Sequence, residues 1–230
     1  MLLEFLEIQR RLEKQFEDTP EDFKSYQFKR CRWQIIFGAS SPSRLHPCIL
    51  FDLPCSLFKL VSGCVDLRLN TSNLSSEMLN EVEARLEIRL PTSFREIILQ
   101  YDFGNLTLGR IWFGKDENYT QFLIESNADE QQNFTWWGSG RRPINHLLVA
   151  GSDSYLILLN ISTGETSAFL RSQSWEKFKI VASSFDIFSR AAATVFLQTR
   201  KDYEFSANLF RAVGCSNNCS FWREIIDGIA

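Results

Sequence analysis

The stretch LEIRLPTSFREIILQYDFGNL, residues 86–106, reads as helix on both sides of a proline. Upstream, Ser75 or Ser76 offers an N-cap, and Met78 or Leu79, Val82, Leu86 and Leu90 recur at helical spacing. Pro91 is expected to stop that helix, because its ring clashes with the carbonyl four residues back. The same proline suits the first turn of a new helix, where its missing N–H has no partner to lose. Phe94, Ile97, Ile98 and Tyr101 mark the second apolar face. Gly104 lies just past it, where a left-handed residue is easiest to place. The expectation is a helix, a proline corner, a second helix and a glycine stop.

Downstream the pattern changes. TLGRIWFG (107–114), TQFLIES (120–126), HLLVAGS (146–152) and SYLILLNISTGETSAFL (154–170) read as strands. The last holds Thr163-Gly164 between two alternating runs, hence a hairpin. The run 182–203 returns to helix, capped by Ser183 or Ser184, and a terminal helix starts at Ser220. The order predicts an α+β fold, with the helix–proline corner–helix unit packed on a mainly antiparallel sheet and closed by C-terminal helices. Upstream, 1–17 reads as an amphipathic helix, with a fresh helix start at Thr19-Pro20. Strands are expected at 32–38 and 48–53, and 57–63 is a short strand or a helical turn.

These residues resemble the SUKH superfamily, which groups fungal cell-wall-synthesis regulators with bacterial toxin-immunity proteins. The likeness rests on Glu83, Leu86, Leu90-Pro91, Phe94, Ile98 and Gly104. It continues through Tyr155 to Leu159, Thr163-Gly164-Glu165, and Ser184-Phe185 with Phe188. Two turns depart from the family pattern: Asp102-Phe103-Gly104-Asn105 stands for the usual Asn-Gly-Gly, and Ala150 to Ser154 for an acidic Gly-Asp turn. The expected organisation is an N-terminal elaboration over 1–69, a SUKH-like domain over 70–195, and a helical extension over 196–230 packed on that domain. The resemblance implies a protein that binds a cognate toxin domain and neutralises it by occlusion. A regulatory scaffold without a toxin partner is the other reading. Most of the matched residues are also what packing and turns require; Glu83 has two readings, a local cap or salt bridge and a partner contact.

Composition narrows the chemistry. The 230 residues are 44% hydrophobic and 23% charged, as in an ordinary globular protein, and 20 phenylalanines predict an aromatic core. A net charge of −3 and a pI of about 5.6 argue against recruitment of nucleic acid or anionic membrane by global electrostatics. Acidic residues interrupt the apolar N-terminus and no window is long and apolar enough for a span, so a cytoplasmic protein is expected. Cysteines 31, 48, 55, 64, 215 and 219 read as free thiols; the C-x3-C pair at 215 and 219 lacks a second pair to complete a zinc site. Seven asparagines (70, 73, 105, 118, 133, 160 and 218) open N-x-S/T, and the simpler reading of these is turn and cap residues.

No catalytic motif stands out. His46 sits in a loop and His146 at a strand edge, and GSGRRP (138–143) lacks the ending of a phosphate loop. Asp116-Glu117 and Asp129-Glu130 read as solvated turns. No catalysis, metal or cofactor is expected. KSYQFKRCRW (24–33) interleaves basic and aromatic residues as a single-strand groove would, but an amphipathic element with a basic outer face explains it as well. The segment 116–142 pairs acids with aromatics in what reads as a loop-rich region. Asp116, Glu117, Tyr119, Glu125, Trp136 and Trp137 are the candidate partner-binding residues, since interface centres use Trp and Tyr and acids would steer a basic toxin. The alternative is that the tryptophans pack on the sheet.

Overall fold

The computed structural model of the protein describes residues 2–17, 69–104, 106–114, 118–129, 135–198, 201–215 and 219–228. The helix start at Thr19-Pro20, the strand readings between 32 and 63, the basic-aromatic stretch 24–33, His46 and four of the cysteines lie outside them.

The chain is α+β, as its periodicities predict. Helix α1 (Phe5–Glu17) precedes α2 (Ser76–Leu86) and α3 (Thr92–Gln100). Strands β1 (Thr107–Leu108) and β2 (Ile111–Trp112) follow, then α4 (Tyr119–Asn127). Next come β3 (His146–Gly151), β4 (Tyr155–Asn160), β5 (Thr166–Leu170) and β6 (Lys179–Ala182). Helices α5 (Phe185–Leu197), α6 (Tyr203–Val213) and α7 (Ser220–Asp227) close the chain. The strands pair in sequence order as one antiparallel meander, β1-β2-β3-β4-β5-β6.

The proline corner is longer than periodicity alone suggests. Helix α2 ends at Leu86, not at Pro91, because Glu87 turns left-handed (φ 54°) and Ile88 N–H bonds back to the Glu83 carbonyl at 3.0 Å. Residues 87–90 bridge to Pro91, which stands at the N-cap of α3. Glu83 holds this bridge. Its carboxylate is 6% exposed, and Oε1 accepts the Leu90 N–H at 2.8 Å. Arg95 Nη1 lies 3.0 Å from Oε2 as an ion pair without hydrogen-bond alignment. Of the two sequence readings of Glu83, the structure shows the local one.

Gly104 is not a left-handed helix stop. After α3 the chain is extended: Tyr101 bridges Thr71, and Asp102 N–H donates to the Asn70 carbonyl at 2.9 Å. The steric demand here belongs to Gly114, where an added Cβ would sit 2.2 Å from the Gly104 carbonyl oxygen.

Three further readings are corrected. TLGRIWFG is two short strands around Gly109-Arg110, with Gly109 at φ +67°, so the stretch folds back where a single strand was expected. TQFLIES is helix α4: the Asn118 side chain accepts from Thr120 N–H and Gln121 N–H, and Tyr119, Phe122 and Leu123 are buried at helical spacing. The helix expected over 182–203 ends at Leu197, and Asp202 caps the separate α6.

The hairpin β4–β5 pairs Tyr155 with Leu170 through Leu159 with Thr166, as its alternation predicts. Helix α5, capped by Ser184 at the Ile187 N–H, packs against α1, α3, α6, β1 and β6. The core there is aromatic. Phe185 stacks edge-on to Phe94 (4.9 Å) and Phe103 (5.3 Å), and Phe188 meets Trp222 at 5.7 Å. Trp222 is fully buried and donates Nε1–H to the Val181 carbonyl at 2.7 Å. At the other end, α1 buries Ile8 and Leu12, and Leu3 N–H donates to Thr194 Oγ1 at 3.0 Å.

Candidate functional site

The candidate residues gather around an irregularity in β3. The register between β3 and β4 shifts between Leu148 and Ala150, which leaves Val149 as the extra residue of a bulge. A bulge strands backbone groups that the ladder would otherwise satisfy. Helix α4 and the segment after it supply the partners. Tyr119 Oη–H donates to the Val149 carbonyl at 2.8 Å. Asn127, fully buried, accepts the Leu148 N–H at Oδ1 (2.7 Å) and donates Nδ2–H to the Leu148 carbonyl (3.0 Å). Its Oδ1 also accepts Trp136 Nε1–H at 3.0 Å, and its Nδ2 donates to the Leu123 carbonyl at 2.8 Å. One amide side chain stands in for a neighbouring strand at Leu148.

Trp137 meets Trp136 edge-on at 5.3 Å, and its Nε1–H donates to the Gly140 carbonyl at 3.1 Å. Beyond it, Arg142 ties the loop down. Its backbone N–H reaches Asp129 Oδ1 (2.9 Å), and its guanidinium donates to the carbonyls of His146 (3.1 Å) and Leu86 (2.8 Å). It thereby satisfies the C-terminus of α2. Burial lowers the Arg142 pKa from its ordinary value, and the Asp129 charge opposes that. Asp129, which reads from sequence as a solvated turn residue, is a structural acceptor.

The six candidate residues therefore fall into three groups. Tyr119, Trp136 and Trp137 are buried and their polar atoms are spent on the bulge and its loop, so the expectation of exposed aromatics does not describe them. Burial raises the Tyr119 pKa well above its usual value, which keeps the hydroxyl a donor. Glu125 is exposed and accepts from Gln121 at 2.6 Å. Asp116 and Glu117 lie outside the described residues. Sequence reasoning passed over Asn127 and Arg142; the available signal was an Asn closing an apolar helix and an Arg before a Pro, and neither names its partner.

Beside the tryptophans, His146 sits 5.1 Å from the Phe178 ring and 5.6 Å from Trp175. Burial lowers its pKa, and its Nε2 has no hydrogen-bond partner among the described residues. Among the described residues no His/Cys/Asp/Glu group is placed to hold a metal, and no helix is long and apolar enough to cross a membrane. Asn118 and Asn160 hold local turns: Asn160 Oδ1 accepts from Ser162 N–H (2.9 Å) and Thr163 N–H (3.2 Å).

What this arrangement offers is a stiff support with a polar outer stripe. Gln121, Glu125 and Asp129, at i, i+4 and i+8, are the exposed positions along and just beyond α4. Compared with known proteins, residues 76–188 match the SUKH_6 family model, described as SMI1-KNR4 cell-wall. No curated protein matches the chain.

Proposed function

Residues 76–188 belong to the SUKH superfamily, and on that premise we propose that the protein is an immunity-type binding protein, which captures a cognate toxin domain and occludes it without chemistry of its own. The observation that carries this is the clamp of α4 on the β3 bulge. Its hydrogen bonds tie Tyr119, Asn127 and Trp136 to β3 and to one another before any partner arrives. A surface fixed in advance loses little conformational entropy on docking. The contact stripe is Gln121, Glu125 and Asp129, with Tyr119, Trp136 and Trp137 beneath it; Asp116 and Glu117 stand just before it in sequence. Acids there steer and retain a basic partner.

The test pairs the full chain with each toxin domain that sequencing finds encoded in its gene neighbourhood. Wild type should rescue growth and form a complex measurable by calorimetry. Reversing Asp116, Glu117 and Glu125 to Lys should weaken that complex at least tenfold at low salt, an effect shrinking as salt rises. Unchanged affinity would remove this face, and no complex at all would remove the toxin reading. The second reading, a regulatory adaptor, is favoured by the cell-wall description of the matching family. It predicts stable capture of wall-synthesis components instead.

A further inference from the structure

Among the described residues, four large apolar or aromatic side chains are exposed: Leu6, Ile144, Ile180 and Tyr203. Leu6 and Tyr203 lie on helices α1 and α6, and Ile180 on strand β6. Ile144, 68% exposed, is in the loop that leads from Trp137 into β3. That loop is held at several points. Gly138 N–H donates to the Thr135 carbonyl at 3.1 Å, and the Thr135 hydroxyl donates to the Gly138 carbonyl. The Pro143 carbonyl accepts His146 N–H (3.1 Å) and Arg142 Nη1–H (3.4 Å), and the Asn145 carbonyl accepts Ile161 N–H (2.9 Å). The backbone is therefore tied on both sides of Ile144, and the ring of Pro143 fixes its own φ.

A lone surface isoleucine is ordinary where its segment can shift to cover it. Here the hydrogen bonds at residues 142, 143, 145 and 146 close that route and keep the side chain outward. Its surroundings are those of an interface centre. The Arg142 N–H, bonded to Asp129, seats the loop against the end of the polar stripe on α4. Two residues of chain reach at most about 7 Å, so Ile144 stands beside that stripe. Arg141 and Asp129, both exposed and opposite in charge, complete an apolar centre with a polar rim.

We propose that Ile144 is the apolar anchor of the binding face, and that it enters an apolar pocket of the toxin domain whose rim carries a basic group for Asp129 and an acidic one for Arg141. This rests on the binding reading above, and it adds to the acidic stripe a contact that sets specificity by shape. A β-branched side chain is stiff at χ1, and its loop is already fixed, so seating it costs little conformational freedom. A lipid surface fits this site less well, since anionic headgroups would repel Glu125 and Asp129 beside it.

Calorimetry of the full chain with the toxin domain it binds tests this. Affinity should fall with each carbon removed, about threefold in Ile144→Val and about twentyfold in Ile144→Ala. The losses should be the same at low and high salt, unlike that of the charge-reversed chain. Urea midpoints of both variants should match wild type, because the side chain is exposed in the isolated protein. Wild-type affinity in Ile144→Ala overturns the anchor and leaves the toxin reading standing, whereas a wild type that binds no toxin domain removes both. A urea midpoint that falls in step with affinity would assign Ile144 to the fold instead. Vesicles of phosphatidylserine and phosphatidylcholine that sediment the wild type but not Ile144→Ala would reassign it to a lipid surface and overturn the proposal.

Discussion

A single carboxylate fixes the corner between α2 and α3. Glu83 is buried, and its loss would leave the Leu90 N–H without an acceptor and Arg95 without its counter-charge. Glu83→Ala should cost about 2–4 kcal/mol, read as a lower urea midpoint at unchanged slope. A residue that served only a partner would cost nothing in the isolated chain. His146 makes a prediction of the opposite kind. Burial holds its folded-state pKa below the ordinary value of about 6.5, so the unfolded chain takes up this proton first as pH falls. Its contribution to stability is complete above about pH 6.5 and declines below it, levelling off once the folded form titrates too. His146→Phe should flatten the stability–pH curve in that window relative to wild type, by urea titration at several pH values. Equal slopes would mean the imidazole is solvated.

At the scale of elements, the clamp of α4 on β3 depends on Asn127. Asn127→Leu keeps the volume but strands the Leu148 N–H and carbonyl and the Trp136 indole N–H, so a loss of about 3–5 kcal/mol is expected. Amide exchange at Leu148 should accelerate far more than at the β4–β5 hairpin. Two glycines separate steric from conformational cost. Gly114→Ala drives a Cβ into backbone, the Gly104 carbonyl, and should destabilise by about 2–4 kcal/mol. Gly138→Ala meets nothing within 4 Å and pays only for its φ of +80°, about 1 kcal/mol; chemical denaturation of both variants separates the two effects.

This scale also shows what the sequence could and could not say. The β4–β5 hairpin, α2, α3 and the Ser184 cap were legible because each is specified locally, by alternation, spacing or a side chain three residues from its target. Helix α4 reads as a strand because Thr120, Phe122 and Ile124 are strand formers at alternate positions; the spacing of Tyr119, Phe122 and Leu123 behind Asn118 is the better guide. Strand β6 offered four residues, two of them exposed, too few to show a period. Of the candidate residues, the inward packing of Tyr119, Trp136 and Trp137 was not legible. Trp136 turns inward because Asn127 waits nine residues away to take its N–H, and that pairing exists only once α4 is a helix.

For the whole molecule, the matched segment 76–188 is not the physical unit. It cuts α5 in its first turn and discards α7, whose Trp222 fills the core and bonds β6. A 76–188 fragment should lack a cooperative unfolding transition, whereas the full chain should show one by circular dichroism in urea. Deleting residues 2–17 should lower Tm by several degrees, since Ile8 and Leu12 leave the core and the Leu3 contact to α5 is lost. The last strand carries a further implication. β6 is the margin of the sheet, yet its Val181 carbonyl is taken by an indole and lies, with that of Ile180, against a thiol. The opposite margin, β1, is two residues long. Among the described residues, neither border offers a long row of free backbone groups on which a foreign chain could extend the ladder. A strand added along either border of this sheet would accordingly find few backbone partners, which discourages fibrous stacking of copies through it.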